Sequence, residues 1–315
     1  KTSICASDLH LLSGKTPGMR AGSVIGHEFV GTVVEGGDAV GLAEGMRVLG
    51  SFLIACGRCG PCAAGRFNHC RERRALGLGE LTGDLDGAQA EFVRVPYADV
   101  NLRPIPEAEV ALTDEQALFS GDILPTGFYA AALARLAPEE VVAVIGAGPI
   151  GLCCALAARL AGPRVLIFDA EPRRVDFAKV LGFEAFDVSA QSVEAVTQSV
   201  TEGAGVDVAM DAVGSIDAFR SAMRCVRDGG RVVVVGVYGA ERYGLSMGMT
   251  WIRGLELTFT GMANVHAHWG HALDATAEGA VDPAQLITHR LALDSAVEGY
   301  ELFGSRAAMK VVLTP

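Results

Sequence analysis

Four cysteines lie close together in one short stretch of the sequence. They are Cys56, Cys59, Cys62 and Cys70, and their spacing is Cys-x2-Cys-x2-Cys-x7-Cys. Four thiolates at this density can enclose a tetrahedral zinc ion and leave no coordination position for water. An iron–sulfur cluster is compatible with the same spacing, and a zinc ribbon that binds nucleic acid is a further alternative. The spacing therefore predicts a closed, structural metal site.

Three further fragments, far apart in the chain, contain residue types that bind metals. Cys5 offers a thiolate, His27 offers an imidazole with the Glu28 carboxylate beside it, and Asp122 offers another carboxylate. Each is a weak indication by itself, because a single cysteine or histidine in a β domain is usually a core residue. Asp122 is equally suited to cap a helix. Together these residues suggest a second metal site.

A glycine-rich turn follows a strongly apolar segment. Val141–Ile145 leads into Gly-Ala-Gly-Pro-Ile-Gly and then into the helix-forming segment Leu152–Leu160. In this strand–turn–helix context, the glycines permit a tight turn, close approach of a pyrophosphate and packing of the helix on the strand. The helix N-terminus offers free N–H groups to phosphate. The residues predicted to bind a dinucleotide here are Gly146, Gly148, Pro149, Ile150 and Gly151.

Asp169 ends the next apolar segment, 23 residues after Gly146. A carboxylate about 20 residues after the first glycine accepts the ribose hydroxyls and repels a 2′-phosphate. Arg173 and Arg174 follow closely, and an arginine at this place can bind a 2′-phosphate. NAD is therefore the predicted cofactor, with NADP as the alternative.

Two kinds of sequence must position these residues. Short β-branched segments and turns dominate residues 1–105, which indicates a β domain. From a predicted helix at Phe128–Leu136 onward, apolar strands alternate with helices, which predicts a parallel, doubly wound sheet. The strands predicted in the first part are Ser23–Glu35, Met46–Ser51 and Gln89–Val95. Those predicted in the second part are Val141–Ile145, Arg164–Phe168, Val206–Met210, Arg231–Gly236 and Leu255–Thr260.

The end of the chain adds one more predicted strand, Met309–Leu313, after a helical region that starts at about Ala263. Because this strand lies outside the alternating region, we expect it to return to the first domain. The expected α/β architecture is a discontinuous catalytic domain, residues 1–126 and 263–315, with a sheet domain, residues 127–262, inserted in it.

Composition restricts the function further. The chain has 315 residues, 50% of them hydrophobic, and a formal net charge of −11. That charge argues against nucleic acid or an anionic membrane as a partner, as does the expected lack of a basic, aromatic-bearing face around the four cysteines. No apolar run reaches the ~18 residues of a membrane span, and the start lacks signal-peptide features, so a cytoplasmic location is expected. Because possible metal ligands begin at Cys5, we expect N-terminal residues to be missing.

Three histidines near the end of the chain lie at spacings of two and three positions. Without a cysteine or acid close by, they are predicted to form an exposed helix face and not a metal site. They are His266, His268 and His271. Three other cysteines lie in apolar helical sequence and are predicted to be small core residues. They are Cys153, Cys154 and Cys225.

Taken in order, these motifs resemble the zinc-containing medium-chain alcohol dehydrogenases over nearly the whole chain. The order is Cys-x-Ser-Asp, Gly-His-Glu, the four cysteines, Asp-x-x-x-Thr-Gly, Gly-x-Gly-x-x-Gly and a closing Lys-Val-Val-Leu. Gly83–Glu91 and Asp122–Gly127 are most similar to bacterial glutathione-independent formaldehyde dehydrogenases. The resemblance implies a GroES-like β-barrel catalytic domain and a Rossmann NAD-binding domain. It also implies two zinc ions per chain, one catalytic and one structural.

The resemblance assigns roles to individual residues. It implies that Cys5, His27 and Asp122 bind the catalytic zinc, with Glu28 beside the ion as an occasional ligand. Many relatives have cysteine where this chain has Asp122. Ser7 is placed to start a proton relay that His10 completes through the cofactor ribose. The further residues implied to contact the cofactor are Thr126, Arg174, Val213, Val235, Val237, Thr260 and Met262.

The expected activity is transfer of a hydride between NAD and a small-molecule alcohol or aldehyde hydrate, with zinc as the Lewis acid. One alternative is a scaffold that binds zinc and NAD with weak or no turnover. Another is a different activity on the same fold. The resemblance further implies a homodimer or homotetramer.

Overall fold

The structure is a computed structural model that describes residues 1–14, 18–36, 41–105, 112–239 and 242–315. It divides into two compact units, Lys1–Pro125 with Met262–Pro315, and Thr126–Gly261. The strands are β1 (Thr2–Ile4), β2 (Phe29–Thr32), β3 (Arg47–Gly50), β4 (Leu53–Ile54), β5 (Arg74–Ala75), β6 (Leu102–Pro104), β7 (Val141–Ile145), β8 (Arg164–Asp169), β9 (Glu184–Asp187), β10 (Val206–Asp211), β11 (Val226–Val234), β12 (Glu256–Phe259), β13 (His289–Ala292) and β14 (Val311–Thr314). The α-helices are α1 (Ala6–Leu12), α2 (Gly60–Ala63), α3 (Ala98–Asn101), α4 (Asp114–Leu118), α5 (Ile123–Ala134), α6 (Pro149–Leu160), α7 (Pro172–Val180), α8 (Val193–Val200), α9 (Ile216–Cys225), α10 (Met247–Ile252), α11 (Val265–Ala277) and α12 (Ala296–Gly304).

A six-stranded sheet organises the first unit, in the order β13-β14-β1-β2-β3-β6. Strand β14 pairs antiparallel with β1 and parallel with β13. The predicted return of a C-terminal strand to the first part of the chain is therefore confirmed. Apolar side chains from β1, β14 and α12 make this pairing stable by packing together in one core. The core includes Ile4, Phe303, Val311 and Leu313.

The strands of the first unit are shorter than the sequence predicts. The predicted strand Ser23–Glu35 contains only β2, and Met46–Ser51 contains β3. The prediction of a strand at Gln89–Val95 is wrong, because these residues form irregular backbone. Their alternation of apolar residues has another cause: Val93 and Val95 pack against the core around Phe29 without pairing to a neighbouring strand.

A second six-stranded sheet organises the other unit, in the order β12-β11-β10-β7-β8-β9. Every pair in it is parallel. The order reverses between β7 and β10, which is the arrangement of a doubly wound dinucleotide-binding sheet. The predicted α/β class and the five predicted strands of this region are confirmed. Strand β9 was not predicted, because its four residues include two acids and mix buried with exposed positions.

The strands of this sheet are rich in valine and isoleucine because helices cover both faces and bury them. Val142 and Val144 of β7 and Val208 of β10 are fully buried. Helix α5 begins at Ile123, five residues earlier than the predicted helix. Among the described residues, no single helix is long and apolar enough to span a membrane. The helical segments Asp114–Gly121 and Ile123–Ala134, which are bent at their junction, reach that length and apolarity only when taken together.

Candidate metal centre and nucleotide turn

Cys5 lies at the junction of β1 and α1. Its extended backbone makes it the N-cap of the helix, and its N–H donates to Asp8 Oδ2 at 2.9 Å. The N-cap position turns the chain sharply after the strand, so the thiol stands at the end of the sheet and remains half-buried. Ser7 Oγ lies 3.7 Å from Cys5 Sγ. The predicted relay residue therefore contacts the predicted thiolate ligand.

His27 lies two residues before β2 and is only 2% exposed. Its Nδ1 lies 3.2 Å from Asp8 Oδ1, and its Nε2 lies 3.4 Å from Asp122 Oδ2. Burial lowers the pKa of the imidazole, but the negative charges of Asp8 and Cys5 outweigh burial and hold this pKa well above its usual value. Asp8 thus orients the ring so that Nε2 faces the Asp122 carboxylate.

Asp122 follows a short 3-10 turn, Phe119–Gly121, and directly precedes α5. This turn packs so closely on β3 that a Cβ at Gly121 would lie 2.4 Å from the carbonyl oxygen of Gly50. A side chain is therefore not tolerated at Gly121. The close packing carries the Asp122 carboxylate, in a residue only 8% exposed, to the same place as His27.

Glu28 is buried next to His27 and pairs with a lysine from the far end of the chain. Lys310 Nζ and Ser3 Oγ both donate to Glu28 Oε2, and both Glu28 and Lys310 are 1% exposed. Burial raises the pKa of the Glu28 carboxyl, and the positive charge of Lys310 offsets part of this rise. Glu28 Oε1 has no hydrogen-bond partner among the described residues.

The four residues from the three fragments meet in one cluster. A thiol sulfur, an imidazole nitrogen and two carboxylate oxygens, one from each of Cys5, His27, Glu28 and Asp122, lie within 4.8 Å of one another. Sulfur, nitrogen and oxygen donors together suit zinc, which accepts all three. The carboxyl groups of Glu28 and Asp122 are buried together with Lys310. Burying several negative charges with too little positive charge is costly. The donor set and the unpaired Glu28 oxygen therefore fit a divalent cation.

The four-cysteine segment folds into a second cluster. Donor atoms of Cys56, Cys59, Cys62 and Cys70 lie within 4.8 Å of one another, and all are free thiols. Backbone N–H groups of Cys56 and Glu72 point at Cys70 Sγ, each at 3.3 Å. Hydrogen bonds from the backbone of Arg71 and Cys62 lower the pKa of the Cys59 thiol to about 6. N–H groups aimed at sulfur stabilise thiolates, so the cluster fits the predicted closed zinc site.

Basic side chains surround these cysteines, contrary to the expectation from the sequence. Arg58 lies over the ring of Tyr97 at 5.6 Å and pairs with Glu72 at 3.5 Å. The expected lack of a basic, aromatic-bearing face here is therefore wrong, and only the net charge still argues against a nucleic-acid partner. The exposed arginines are Arg58, Arg66, Arg71, Arg73 and Arg74.

Two of the three histidines of α11 also depart from the predicted exposed helix face. His266 stacks on Phe67, with ring centroids 4.8 Å apart, and its Nε2 lies 2.9 Å from Asn101 Oδ1. Burial lowers the pKa of its imidazole to about 4. His266 therefore packs helix α11 against the four-cysteine segment. His271 is exposed, as predicted, and His268 is half-buried.

The glycine turn in the second unit has the shape that binding of a pyrophosphate needs. Gly146 has a φ of +103°, which favours glycine, and a Cβ at Gly151 would lie 1.8 Å from the Gly146 carbonyl oxygen. Gly148 is the N-cap of α6 and Pro149 is its first residue. The N–H groups of Ile150 and Gly151 have no partner inside the helix, because they belong to its first turn. These donors fit a phosphate group.

Asp169 is the last residue of β8 and lies beside this turn. Its Oδ2 accepts the N–H of Ala147 at 2.7 Å, and its Oδ1 accepts that of Glu171 at 2.8 Å. Each carboxylate oxygen retains a second lone pair, which is the acceptor that a ribose hydroxyl needs. Arg174 Nη1 lies 3.9 Å from Asp169 Oδ2, so the residue implied to bind a 2′-phosphate is partly neutralised.

The remaining predicted cofactor residues follow the carboxyl ends of the parallel strands. Val213 comes after β10 and packs over Gly146, since its Cγ2 lies 2.8 Å from the position of a Cβ there. Val235 and Thr260 are buried just past β11 and β12, while Val237 is 55% exposed. Thr126 is buried in the first turn of α5. Met262 belongs to the first unit.

Three residues around the metal cluster escaped the sequence analysis as site residues: Asp8, Lys310 and Gln89. Asp8 belongs to the Cys-x-Ser-Asp motif, Lys310 to the closing Lys-Val-Val-Leu motif and Gln89 to the segment Gly83–Glu91, but nothing in their spacing assigned them a partner. Gln89 Nε2 donates to Asp8 Oδ2 at 3.3 Å. The available signal was the residue type, because a lysine directly before the apolar strand Val311–Thr314 requires a buried counter-charge if it faces the core.

Comparison with known proteins agrees with this geometry. Residues 1–107 match the alcohol dehydrogenase GroES-like domain family, and residues 149–278 match the zinc-binding dehydrogenase family. An alcohol dehydrogenase of Cupriavidus necator is 31% identical over 342 residues, covering 100% of this chain and 90% of that protein. The glutathione-independent formaldehyde dehydrogenase of Pseudomonas aeruginosa is 32% identical over 352 residues, covering 100% and 88%. The chain belongs to the zinc-type medium-chain alcohol dehydrogenase family.

Membership in this family confirms the predicted resemblance and the predicted fold. Among solved structures, an alcohol dehydrogenase from Thermus sp. ATN1 has a TM-score of 0.95 and 39% identity, covering 100% of this chain and 90% of that one. The first unit is thus a GroES-like domain and the second a Rossmann-like domain. As a zinc-type alcohol dehydrogenase family member, the chain is an oxidoreductase.

Proposed function

We propose that this chain oxidises a small alcohol, or an aldehyde hydrate, with NAD as the hydride acceptor. The convergence of Cys5, His27 and Asp122 in one buried cluster is the observation that supports this most. Cys5, His27 and Asp122 would hold a zinc ion as three protein ligands, which is the number found in catalytic zinc sites that also admit substrate. Zinc bound there supplies Lewis acidity, which lowers the pKa of an alcohol hydroxyl.

Ser7 is the residue to which we assign the substrate proton. Its Oγ contacts Cys5 Sγ at 3.7 Å, and His10 lies one turn further along α1, near enough in sequence to continue a relay. Bound NAD would accept the hydrogen of the substrate C–H bond together with its electron pair. The O–H proton would leave through Ser7, so the products would be NADH, a proton and either an aldehyde or ketone from an alcohol or a carboxylic acid from an aldehyde hydrate.

We further propose NAD, and not NADP, as the cofactor, and two zinc ions per chain. The acceptor lone pairs of Asp169 beside the glycine turn support the first proposal, because a carboxylate repels a 2′-phosphate. The two donor clusters support the second.

A substrate panel with NAD and NADP side by side tests these assignments. We expect alcohol-dependent NADH formation by the zinc-loaded protein, with kcat/KM at least ~100-fold lower in Cys5→Ala, since removal of a ligand disturbs both the metal and the substrate position. Asp122→Asn should lose activity in the same way. Zinc content should fall from two ions per chain towards one in Cys5→Ala.

Cys225→Ala is the matched control, because it removes a buried thiol from the Rossmann-like unit, which contains neither cluster. It should keep both zinc ions and the activity. Full zinc and NAD binding without oxidation of any alcohol or aldehyde in the panel would contradict the proposal and favour the scaffold alternative.

We also propose that the chain assembles with copies of itself through the edge strand β12. This strand is one of the two edges of the parallel sheet in the described part of the chain, and Phe259 on it is 63% exposed. Trp251 and Ile252 of the adjacent α10 are 81% and 70% exposed. An unpaired edge flanked by large apolar side chains suits antiparallel pairing with the same edge of a second copy.

A further inference from the structure

A chain of polar contacts leads from His27 away from the metal ligands. His27 Nδ1 lies 3.2 Å from Asp8 Oδ1. The other oxygen of this carboxylate, Oδ2, accepts from Gln89 Nε2 at 3.3 Å. Gln89 Oε1 in turn accepts from the hydroxyl of Tyr300 at 2.8 Å. Four residues that are far apart in the sequence are therefore connected in one line.

The surroundings of Gln89 permit only one orientation of its amide. Nε2 faces two acceptors, the Ser3 carbonyl at 3.2 Å and Asp8 Oδ2 at 3.3 Å. Neither acceptor can donate, so the nitrogen must point to them and the amide oxygen must point to Tyr300. Tyr300 is then the donor to that oxygen. The donor and acceptor roles along these contacts are therefore fixed, and Gln89 holds the Asp8 carboxylate from the side opposite His27.

Gln89 also packs directly on the segment that carries His27. A Cβ at Gly26 would lie 2.4 Å from Gln89 Cγ, so glycine at this position makes room for the glutamine. The backbone N–H of Gln89 donates to Ile25 at 3.0 Å, and that of Ala88 donates to Gly26 at 2.8 Å. Gln89 thus braces both the imidazole-bearing segment and the carboxylate that orients the ring.

We propose that Gln89 and Tyr300 are positioning residues for the His27 ligand and act on it through Asp8. The inference rests on the proposed metal centre. Asp8 is fully buried, and a buried carboxylate keeps one rotamer only when its hydrogen bonds define it. Partners of a metal-bound histidine fix its ring and its basicity, and their loss weakens metal binding by about 10- to 100-fold. Through Tyr300, helix α12 sets the zinc affinity of a centre to which it contributes no ligand.

Competition between the zinc-loaded protein and a chromogenic chelator tests this proposal. Wild type should release zinc to the chelator in two phases, and the phase that is missing in Cys5→Ala belongs to the Cys5 centre. The other phase, from the four cysteines, serves as an internal reference. We expect about tenfold weaker zinc binding at the Cys5 centre in Gln89→Met. Tyr300→Phe should show a smaller loss, because Gln89 keeps both of its donor contacts. The four-cysteine phase should stay unchanged in both variants, which a general loss of stability would not produce.

Tyr243→Phe is the matched control, since this tyrosine is 40% exposed in the Rossmann-like unit and should leave both phases unchanged. If Tyr300 acts through Gln89, the double variant should bind zinc no more weakly than Gln89→Met alone. Unchanged zinc affinity in Gln89→Met, or full additivity in the double variant, would overturn the proposal. A wild-type protein that releases zinc in one phase, identical to that of Cys5→Ala, would instead overturn the proposed metal centre itself.

Discussion

At the residue scale, Lys310 and Glu28 form an ion pair. Each of the two residues is only 1% exposed. A pair buried this completely adds little net stability when intact, because both charges lose their hydration. Breaking it is different, since the remaining charge stays buried without a counter-ion. Removal of either member should therefore cost more than the pair contributes.

The variant Lys310→Met tests this asymmetry. We expect a loss of about 3 kcal/mol in the free energy of unfolding, because the buried Glu28 carboxylate loses the lysine that donates to its Oε2. Urea unfolding of the zinc-loaded protein measures it. Lys179→Met removes an exposed lysine that pairs with Asp176 at 3.6 Å and should change stability by less than about 1 kcal/mol. Equal losses in the two variants would contradict the prediction.

At the scale of elements, Glu115 ties α4 to β13. Arg290 donates to its carboxylate at 2.7 and 3.0 Å, and this contact is the main reason why the pKa of Glu115 is lowered to about 2. A carboxyl whose pKa is lower in the folded chain stabilises the fold above its unfolded pKa. That contribution disappears as the pH falls from about 4.5 towards 2.

Glu115→Gln should therefore destabilise the protein at pH 7 but much less at pH 3. Because Arg290 is largely exposed, we expect a difference of only about 0.5–1 kcal/mol at neutral pH. Urea unfolding of wild type and variant across this pH range measures it. Glu298→Gln, at an exposed position of α12, is the control. Its difference in unfolding free energy from wild type should be no smaller at pH 3 than at pH 7. A wild-type advantage that persists unchanged at pH 3 would refute the linkage.

The elements that sequence predicts well are those defined by local order. The Gly146 turn was predictable because strand, glycines, helix and Asp169 follow one another within about 30 residues. The Gln89–Val95 segment was not, because the same alternation of apolar residues results from packing without pairing. The partners of Asp8, Lys310 and Gln89 come from distant elements, so no local pattern records them. The clustering of Cys5, His27 and Asp122 was predictable only from the order of motifs across the chain.

At the scale of the whole molecule, the exposed apolar surface beside β12 leads to a prediction about assembly. Phe259→Asp should weaken self-association by about 2 kcal/mol or more per subunit, because it places a charge at an apolar interface. Sedimentation velocity over a range of concentrations measures the effect. Val180→Asp, at a position 85% exposed on α7 of the same unit, should leave association unchanged. A wild-type chain that sediments as a monomer at all concentrations would refute the proposed interface.

The pairing of β14 with β1 has a consequence for biosynthesis. A ribosome delivers all the proposed ligands of the Cys5 centre by residue 122, but Lys310 and β14, the strand that pairs with β1 beside Cys5, follow only about 190 residues later. A nascent or prematurely terminated chain therefore carries the donor groups without their counter-ion or their supporting strand. Stable metal loading at the Cys5 centre thus requires that β14 has been synthesised and has paired with β1, whereas the four-cysteine segment can bind its ion earlier in synthesis.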